Sequence, residues 1–565
     1  MKITRYFSML AVVATLMGCG DFLNIEPSNE IVLERYWTEE NDVNSVMMSC
    51  YAQLEGADCM RRMMVWGELR SDNLTNGSGI GNDLLQITKE NLLETNQMVS
   101  WECFYQCINR CNTVIYYAPM VAEKDPNFTS SEMDATIAEA RTLRALCYFY
   151  LIRTFRDVPY VTTPSKDDKQ NYRIPAAPFD SILTSLIKDV EDAAIHAVRS
   201  YGEESIENTS RITRWACYAL LADMYLWKGD YENCIRCCDM VIDRKVAEYK
   251  EAYEMNPTTI LMELYGKYPL ISESSASSNF AGTTYNEIFG TGNSFESIFE
   301  LNFVNNQDVT NSAVSSYYGS SSNSNGQFAV SSPVSESPYS GTGTSYFAKG
   351  DCRFLENILS GTSISYVLKY VAQSVSFRTS TQTGGAPAVN KTPRSSNYAN
   401  WIIYRLTDVM LMRAEAEVEL AGDVQQGNTL TAEQKEHYVR AFNAVSAVWK
   451  RANNKRTATA DTLVFNDYAI SRTTMEDLVL DERQRELMFE GKRWYDLVRL
   501  CRREGNNTRM VNKVIPKFKD NTTAIRIKLA APDALYFPYS RKELKQNPYL
   551  KQNPAYETGD NMERN

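Results

Sequence analysis

The sequence predicts a mostly α-helical fold that carries one long, irregular, loop-rich region. Residues 133–155 form the wide amphipathic stripe of a buried helix. Residues 211–242 have the small residues, turn glycine and second apolar stripe of a tetratricopeptide helix pair. Composition then changes abruptly between 271 and 398, where Ser, Asn, Gly and Thr are dense and strong helix formers are few.

The amino end is typical of a secretion signal. Lys2 and Arg5 precede an apolar run that is too short to span a bilayer as a mature helix. The LMGC sequence ending at Cys19 resembles a bacterial lipobox, so we expect cleavage before Cys19 and its lipidation, with an incidental cysteine in a plain secretory signal as the alternative. We predict a lipoprotein signal peptide at 1–18 and a lipidated tether at 19–38.

The first helix pattern starts near Glu39, with apolar residues on one face. The Gly-, Asn- and Ser-rich stretch at 66–100 is predicted to be a loop, and a helix led by Trp101 follows it. Three polar residues of this loop are as consistent with turn chemistry as with ligand binding: Asp72, Asn73 and Asn76.

Helix patterns continue at 133–155, at about 179–198 and through the pair at 211–242. A weaker second pair is indicated by 402–423, followed by a helix near 437–453. Because such pairs bury their apolar faces by stacking, we expect the N-terminal and C-terminal helices to come together in space. The loop-rich region between them has regularly spaced aromatic residues, which can anchor irregular loops onto a scaffold.

The C-terminal arm, from residue 479 to 556, combines a charged helix with a proline-rich tail. Gly491 is placed to divide the helical part into two pieces, and the tail after Ala531 should run extended and irregular. Paired carboxylates on one helix face can serve acid–base chemistry. Here the ion-pair spacing to Arg485 favours a structural clasp instead. The carboxylates on that face are Glu482, Glu486 and Glu490.

Composition excludes several function classes. A net charge of −11 argues against a nucleic-acid partner, since phosphate binding needs a basic face. No metal motif, phosphate-binding glycine loop or nucleophile elbow is visible, so we expect no cofactor, metal or catalytic residue, although glycoside hydrolases need no fixed carboxylate spacing. The clustered cysteines at 103–111 and 234–238 are predicted to pack in the core, with a local disulfide or adventitious metal as alternatives.

Two long motifs carry a resemblance to a known family. DERQRELMFEGKRWYDLVR at 481–499, followed by FPYSRKELKQNPYLKQNPAY at 537–556, closely resembles the C-terminal region of the SusD/RagB outer-membrane nutrient-binding lipoproteins. ARTLRALCYFYLIRTFRDVPY at 140–160 is also similar, with Arg156 where a glycine is more usual. ESIFELNF at 296–303 resembles a short family strand that packs on the helical core.

The resemblance implies a SusD-like fold in which four tetratricopeptide-like helix pairs support an irregular ligand-binding region. It divides the mature chain into an N-terminal helical region at 39–270, a loop-rich aromatic region at 271–400 and a C-terminal SusD/RagB region at 401–565. Sugar recognition needs flat apolar faces and short polar side chains or arginine, and the loop regions supply both.

The function implied by the resemblance is that of a non-catalytic, cell-surface, glycan-binding lipoprotein of the outer membrane. Such a protein captures oligosaccharides and passes them to a SusC-like TonB-dependent transporter. A peptide-binding RagB-like member, a surface glycoside hydrolase and a pure scaffold stay open as alternatives. Because ligand residues vary among members, only a set of candidate ligand-binding residues is carried over: Arg70, Asp72, Asn73, Asn76, Tyr317, Tyr318 and Tyr346.

Overall fold

The main helices follow the predicted stripes closely. The computed structural model describes residues 36–557 apart from gaps at 167–169, 259, 273–278, 281, 305–309, 321–324, 342, 344, 379–386, 395, 425–429 and 454–462, so the predicted signal peptide and Cys19 lie outside it. The long helices are α1 Glu40–Glu55, α2 Ala57–Met64, α3 Glu102–Ala122, α4 Ser130–Phe155, α5 Phe179–His196, α6 Arg214–Lys228, α7 Tyr231–Met255, α8 Leu406–Ala421, α9 Ala432–Ala452, α10 Arg472–Leu487 and α11 Arg493–Glu504. The prediction of a mostly α-helical fold is confirmed.

Shorter helical segments connect these elements. Short α-helices lie at Asn82–Thr88, Glu207–Ser210, Thr283–Tyr285, Ser312–Tyr317, Ser332–Ser335, Cys352–Asn357, Phe465–Tyr468, Thr508–Val514, Thr522–Ala530 and Arg541–Gln546. π-Helical turns lie at Val65–Leu69 and Asn286–Thr291, and 3-10 turns at Gln97–Val99, Ile515–Lys517, Pro532–Leu535 and Pro554–Tyr556. The stretch predicted to be a loop at 66–100 thus contains an α-helix, Asn82–Thr88, besides the turns Val65–Leu69 and Gln97–Val99 at its ends, because Leu84 and Ile87 reach the core.

The long helices stack in sequence as four pairs. α1 packs against α3, α4 against α5, α6 against α7 and α8 against α9. Within the third pair, Gly229 ends α6 in the left-handed conformation that a residue without a side chain adopts at little cost. α7 packs directly against α8, although some 150 residues of sequence separate them. The prediction that N-terminal and C-terminal helices meet in space is therefore confirmed.

The loop-rich region folds back on this scaffold through small antiparallel sheets. The strands are β1 Leu74–Asn76, β2 Val158–Pro159, β3 Ala176–Ala177, β4 Met262–Tyr265, β5 Tyr268–Ile271, β6 Asn279–Phe280, β7 Ser297–Leu301, β8 Phe328–Val330, β9 Ile358–Leu359, β10 Tyr366–Val367, β11 Ala372–Arg378, β12 Ala388–Pro393 and β13 Trp401–Arg405. They form one four-stranded sheet in the order β1-β8-β10-β9, one three-stranded sheet β12-β11-β6, and the pairs β13-β7, β2-β3 and β4-β5.

β7 lies where the ESIFELNF motif predicts a strand on the helical core. All five of its residues are buried, and it pairs with β13 from Trp401 opposite Leu301 to Arg405 opposite Ser297. The residues at 401–405, which the helix-pair pattern includes in part, are therefore strand, and α8 starts only at Leu406. The run of aromatic and β-branched side chains explains this, because such residues suit a buried strand when a partner strand is present.

The cysteines pack in the core as free thiols. All twelve cysteines of the described chain are buried and unbridged, which confirms the prediction of core packing. Burial raises the pKa of Cys147 to about 11, so this thiol stays protonated at neutral pH and reacts slowly. Among the helices placed by the structure, none has an apolar stretch long enough to cross a membrane.

Candidate functional site

The C-terminal arm locks onto the amino-terminal part of the scaffold at a junction of two glycines. The backbone leaves α10 through Phe489 and Gly491, with φ values of 67° and 70°, before α11 begins at Arg493. A Cβ on Gly67, in the π-helical turn Val65–Leu69, would lie 1.8 Å from the carbonyl oxygen of Gly491. The prediction that Gly491 separates two helical pieces is confirmed, and the junction admits no side chain.

Glu482, Glu486 and Glu490 of the arm lie in a buried ionic cluster. Glu486 sits 2.6 Å from Arg405 and 3.1 Å from Arg353, and it also pairs with Arg451. Burial alone would raise the pKa of Glu486, but the three guanidinium groups hold that pKa well below its ordinary value. The other two carboxylates are paired as well: Glu482 with Arg353 and Arg485, and Glu490 with Lys369 and Arg405. This geometry suits a clasp between elements and not acid–base chemistry on a substrate.

Most of the predicted ligand residues turn out to be partners of this arm. The Arg70 guanidinium is buried, pairs with Glu90 at 2.7 Å and donates to the carbonyl groups of Leu535 and Ala534. Asp72 accepts two hydrogen bonds of 2.8 Å from Arg493. Burial would raise the pKa of Asp72, yet Arg493 lowers it below the usual value.

Asn73, Tyr318 and Tyr346 also contact the arm. The Asn73 side chain accepts a hydrogen bond from Gln484, the Tyr318 hydroxyl donates to the carbonyl oxygen of Phe489 at 2.9 Å, and the Tyr346 hydroxyl donates to that of Asp481 at 3.0 Å. Tyr317 packs its buried ring 4.6 Å from that of Phe328, and Asn76 is exposed on β1. The structure thus gathers five of the seven residues around the arm, which favours a structural role for them. Whether any of the seven contacts a ligand stays a prediction.

A surface cleft lies elsewhere, between the first half of α3, the segments 159–166 and 170–174, and the helix Arg541–Gln546. Its volume is about 760 Å³, within the range of ligand sites in proteins. Three aromatic residues line it: Trp101, Tyr105 and Tyr172. Seven amide side chains line it as well: Gln106, Asn109, Asn112, Gln170, Asn171, Gln546 and Asn547.

Hydrogen bonds from α3 fix the loop that forms one wall of this cleft. The Tyr105 hydroxyl donates to the carbonyl oxygen of Pro159 at 2.6 Å, and Asn112 donates to those of Val161 and Thr163 at 3.2 Å. Asn547 holds the opposite wall by donating to the carbonyl oxygen of Ile174 at 2.7 Å. The cleft is therefore formed before any ligand arrives, while Tyr172 keeps 55% of its surface exposed at the rim.

The charges of the cleft are balanced. Glu102 and Lys542 pair at 3.2 Å while both remain more than half exposed, and Arg173 and Glu543 also line the cleft. Burial raises the pKa of Glu543, partly offset by a hydrogen bond to Trp101. Among the described residues, no group of His, Cys, Asp and Glu side chains could hold a metal ion. Flat aromatic faces, amides and a neutral charge balance suit a neutral, hydroxyl-rich ligand.

Two family models match the chain and together span more than half of it. Residues 376–556 match the SusD family, and residues 21–226 match the family described as starch-binding and associating with the outer membrane. The chain belongs to the SusD/RagB family. Members of this family are carbohydrate-binding proteins and not enzymes, which confirms the prediction of a non-catalytic protein. The family is associated with the outer membrane.

Relatives cover nearly the whole SusD/RagB chain. The SusD-like proteins P25 and P38 of Formosa agariphila are 22% and 23% identical to it, over 99% and 98% of this chain and 100% and 99% of their own lengths. Solved structures of SusD superfamily proteins from Bacteroides vulgatus and Bacteroides thetaiotaomicron superpose with TM-scores of 0.63 and 0.62 at 17% and 20% identity, each over 92% of this chain and over 100% and 99% of theirs. These structures share its fold.

Sequence reasoning missed the loop and tail walls of the cleft in this SusD/RagB protein. The sequence predicts no helix between the patterns at 133–155 and 179–198, and it predicts only an extended, irregular course for the tail. A signal was nevertheless present, because KQNYR at 169–173 and KQNPYLKQNP at 545–554 share amides, tyrosine and lysine. Similar composition in two distant segments could have indicated one shared polar and aromatic surface.

Proposed function

We propose that this protein is a cell-surface lipoprotein that binds glycans in the cleft between α3, the segments 159–166 and 170–174, and the helix Arg541–Gln546. In this proposal, Cys19 carries the lipid anchor that holds the protein on the outer face of the outer membrane. The bound oligosaccharide is handed without bond cleavage to a SusC-like TonB-dependent transporter. Membership of a starch-binding, outer-membrane-associated family supports this function.

The observation that carries the proposal is the lining of the cleft. Tyr172 offers an exposed aromatic face for the C–H groups of a sugar ring, while Asn109, Asn171 and Gln546 offer amides for hydroxyl groups. The oxygen of the Asn109 amide already accepts from the backbone N–H of Ser165 at 2.8 Å, which fixes the orientation of that side chain. A preformed, neutral site of this kind binds without a large ordering cost.

Calorimetric titration of the purified protein against starch, other soluble polysaccharides and a peptide panel tests the proposal. We expect binding to at least one polysaccharide, and Tyr172→Ala should weaken it about tenfold, since one aromatic contact contributes about 1.4 kcal/mol. Tyr253→Ala is the matched control, because Tyr253 is 49% exposed on α7 and does not line the cleft.

Two results would contradict this function. Binding of peptides without any glycan would favour the RagB-like alternative, and release of reducing sugar from a bound polysaccharide would indicate a hydrolase.

For the partner, a tagged chain recovered from outer membranes is expected to bring a TonB-dependent barrel with it. Recovery of the chain without any such barrel would refute the handover step.

A further inference from the structure

A second depression, of about 330 Å³, lies beside the main cleft. The boundary between the two, called the seam here, consists of residues 174–175 and 549–551. Ile174 and Leu550 line the main cleft, while their neighbours Pro175, Tyr549 and Lys551 line the second depression. Asn547 joins the two segments of the seam through its hydrogen bond to the carbonyl oxygen of Ile174. A chain-like ligand leaving the main cleft over this seam would enter the second depression.

Arg156 lines the second depression in a strained backbone conformation. It follows the last residue of α4 with φ of 69° and ψ of −77°, in a region that residues with a Cβ rarely adopt. Such a conformation costs about 1–3 kcal/mol, and a glycine would adopt it at little cost. A strained non-glycine residue therefore needs a reason that lies in its side chain.

The ion pairs of Arg156 offset that cost in part at most. Its Nε donates to Asp157 at 3.0 Å and its Nη1 pairs with Asp533, but all three side chains are about one-third exposed. Ion pairs at such exposed positions contribute about 0–1 kcal/mol each, so even both together do not reach the upper end of the strain. These hydrogen bonds use Nε and Nη1, so with respect to the residues that the structure describes the N–H groups of Nη2 remain for a further acceptor.

We propose that the second depression is a further sugar subsite, in which Arg156 donates to the hydroxyl groups of a neutral sugar unit. This inference rests on the proposed glycan-binding function and extends it to longer chains. Tyr549, which is 60% exposed, supplies the flat face for the ring. Arg156 and Lys551 are balanced by Asp157 and Glu557, so the subsite attracts no anion. The ligand is thus a neutral linear oligosaccharide long enough to reach across the seam.

Arg156→Gly separates ligand binding from stability. Glycine relieves the backbone strain, so we expect the melting temperature to stay the same or to rise. Malto-, cello- and xylo-oligosaccharides, each from the disaccharide to the octasaccharide, are the probes for calorimetry. In the natural protein the affinity for the recognised series should rise once the chain is long enough to reach the subsite. In Arg156→Gly the gain in affinity from short to long oligosaccharides should be about tenfold smaller, because one hydrogen bond to a charged group contributes about that factor to affinity.

Tyr549→Ala is the second variant and Tyr253→Ala the control for a lost exposed tyrosine. Tyr549→Ala should also reduce the rise with chain length, and Tyr253→Ala should leave it intact. If Tyr172 is needed for binding but both subsite variants keep the full rise, the subsite is refuted while glycan binding stands. If none of the polysaccharides and oligosaccharides binds the natural protein, the proposed function fails and the subsite fails with it.

Discussion

At Glu486, three arginine side chains surround one carboxylate that is 3% exposed. Replacing it by Gln in Glu486→Gln keeps the shape but leaves Arg353, Arg405 and Arg451 without their shared negative partner. Breaking a buried pair in this way costs about 3–5 kcal/mol. We therefore expect a large loss of unfolding free energy in urea denaturation at pH 7, with glycan affinity of the folded variant nearly unchanged, because Glu486 does not line the cleft.

The pH dependence of this difference follows from the lowered pKa of Glu486. A carboxyl group whose pKa is lowered in the folded state stabilises the fold fully when the pH is above its pKa in the unfolded chain, near 4.5. It loses that contribution as the pH falls below this value. The gap between the natural protein and Glu486→Gln should stay constant from pH 6 to 8 and shrink below about pH 4.5. If Glu486→Gln folds but no longer binds glycan, the arm becomes a candidate binding site again.

Residue identity alone shows polarity but not the partner that a polar side chain finds. Asp72 and Asn73 lie in a Gly- and Asn-rich stretch that invites a ligand interpretation, yet their partners, Arg493 and Gln484, lie more than 400 residues away. No pattern in the neighbouring sequence indicates these long-range hydrogen bonds. The buried cysteines, by contrast, were predictable, because their burial follows from their position on apolar helix stripes.

At the scale of elements, the junction of the π-helical turn Val65–Leu69 with α11 depends on Gly67. Gly67→Ala would place a methyl group 1.8 Å from the carbonyl oxygen of Gly491, and a backbone contact of that kind cannot relax by rotating a side chain. We expect a loss of at least 3 kcal/mol or a failure to fold, measured by thermal and urea unfolding. Gly81→Ala is the control, since its Cβ would meet only the Gln327 side chain at 3.5 Å. Equal stability of the two variants would contradict this account.

Helices were predictable to within a few residues because each carries its own apolar period. α4 and α5 are examples, and Gly229 between α6 and α7 marks its turn in the sequence itself, although α7 continues thirteen residues beyond the predicted pair. Short strands carry no such period. β1, β8 and β10 have two or three residues each and are stabilised by pairing with one another, β1 with β8 across more than 250 residues. The helix pattern predicted at 402–423 includes most of β13 because the sequence of β13 does not show its partner strand.

For the whole molecule, the fold could be predicted further than the functional surface. Stacking of helix pairs follows from apolar faces that each pair leaves uncovered, and the packing of α7 against α8 fits this rule. No comparable rule predicts the position of the main cleft, because its walls come from three separate parts of the chain: α3, a coil and the tail. Its place is set by how the arm docks, and docking depends on long-range contacts such as Tyr539 to Asp157.

The arm also decides whether the molecule folds at all. Truncation after Gly491 would remove Trp494, Leu497, Phe537 and other buried residues, together with the Arg493 partner of Asp72. Each large apolar side chain contributes about 1.5–3 kcal/mol, so the loss exceeds the roughly 5–15 kcal/mol that stabilises a typical domain. We expect an insoluble or protease-sensitive product without cooperative thermal unfolding. Truncation after Glu557, which keeps every contact described for the arm, is the control and should unfold like the full chain. A cooperative, protease-resistant fragment ending at Gly491 would show that the helix pairs are stable by themselves, and that the arm serves the binding surface only.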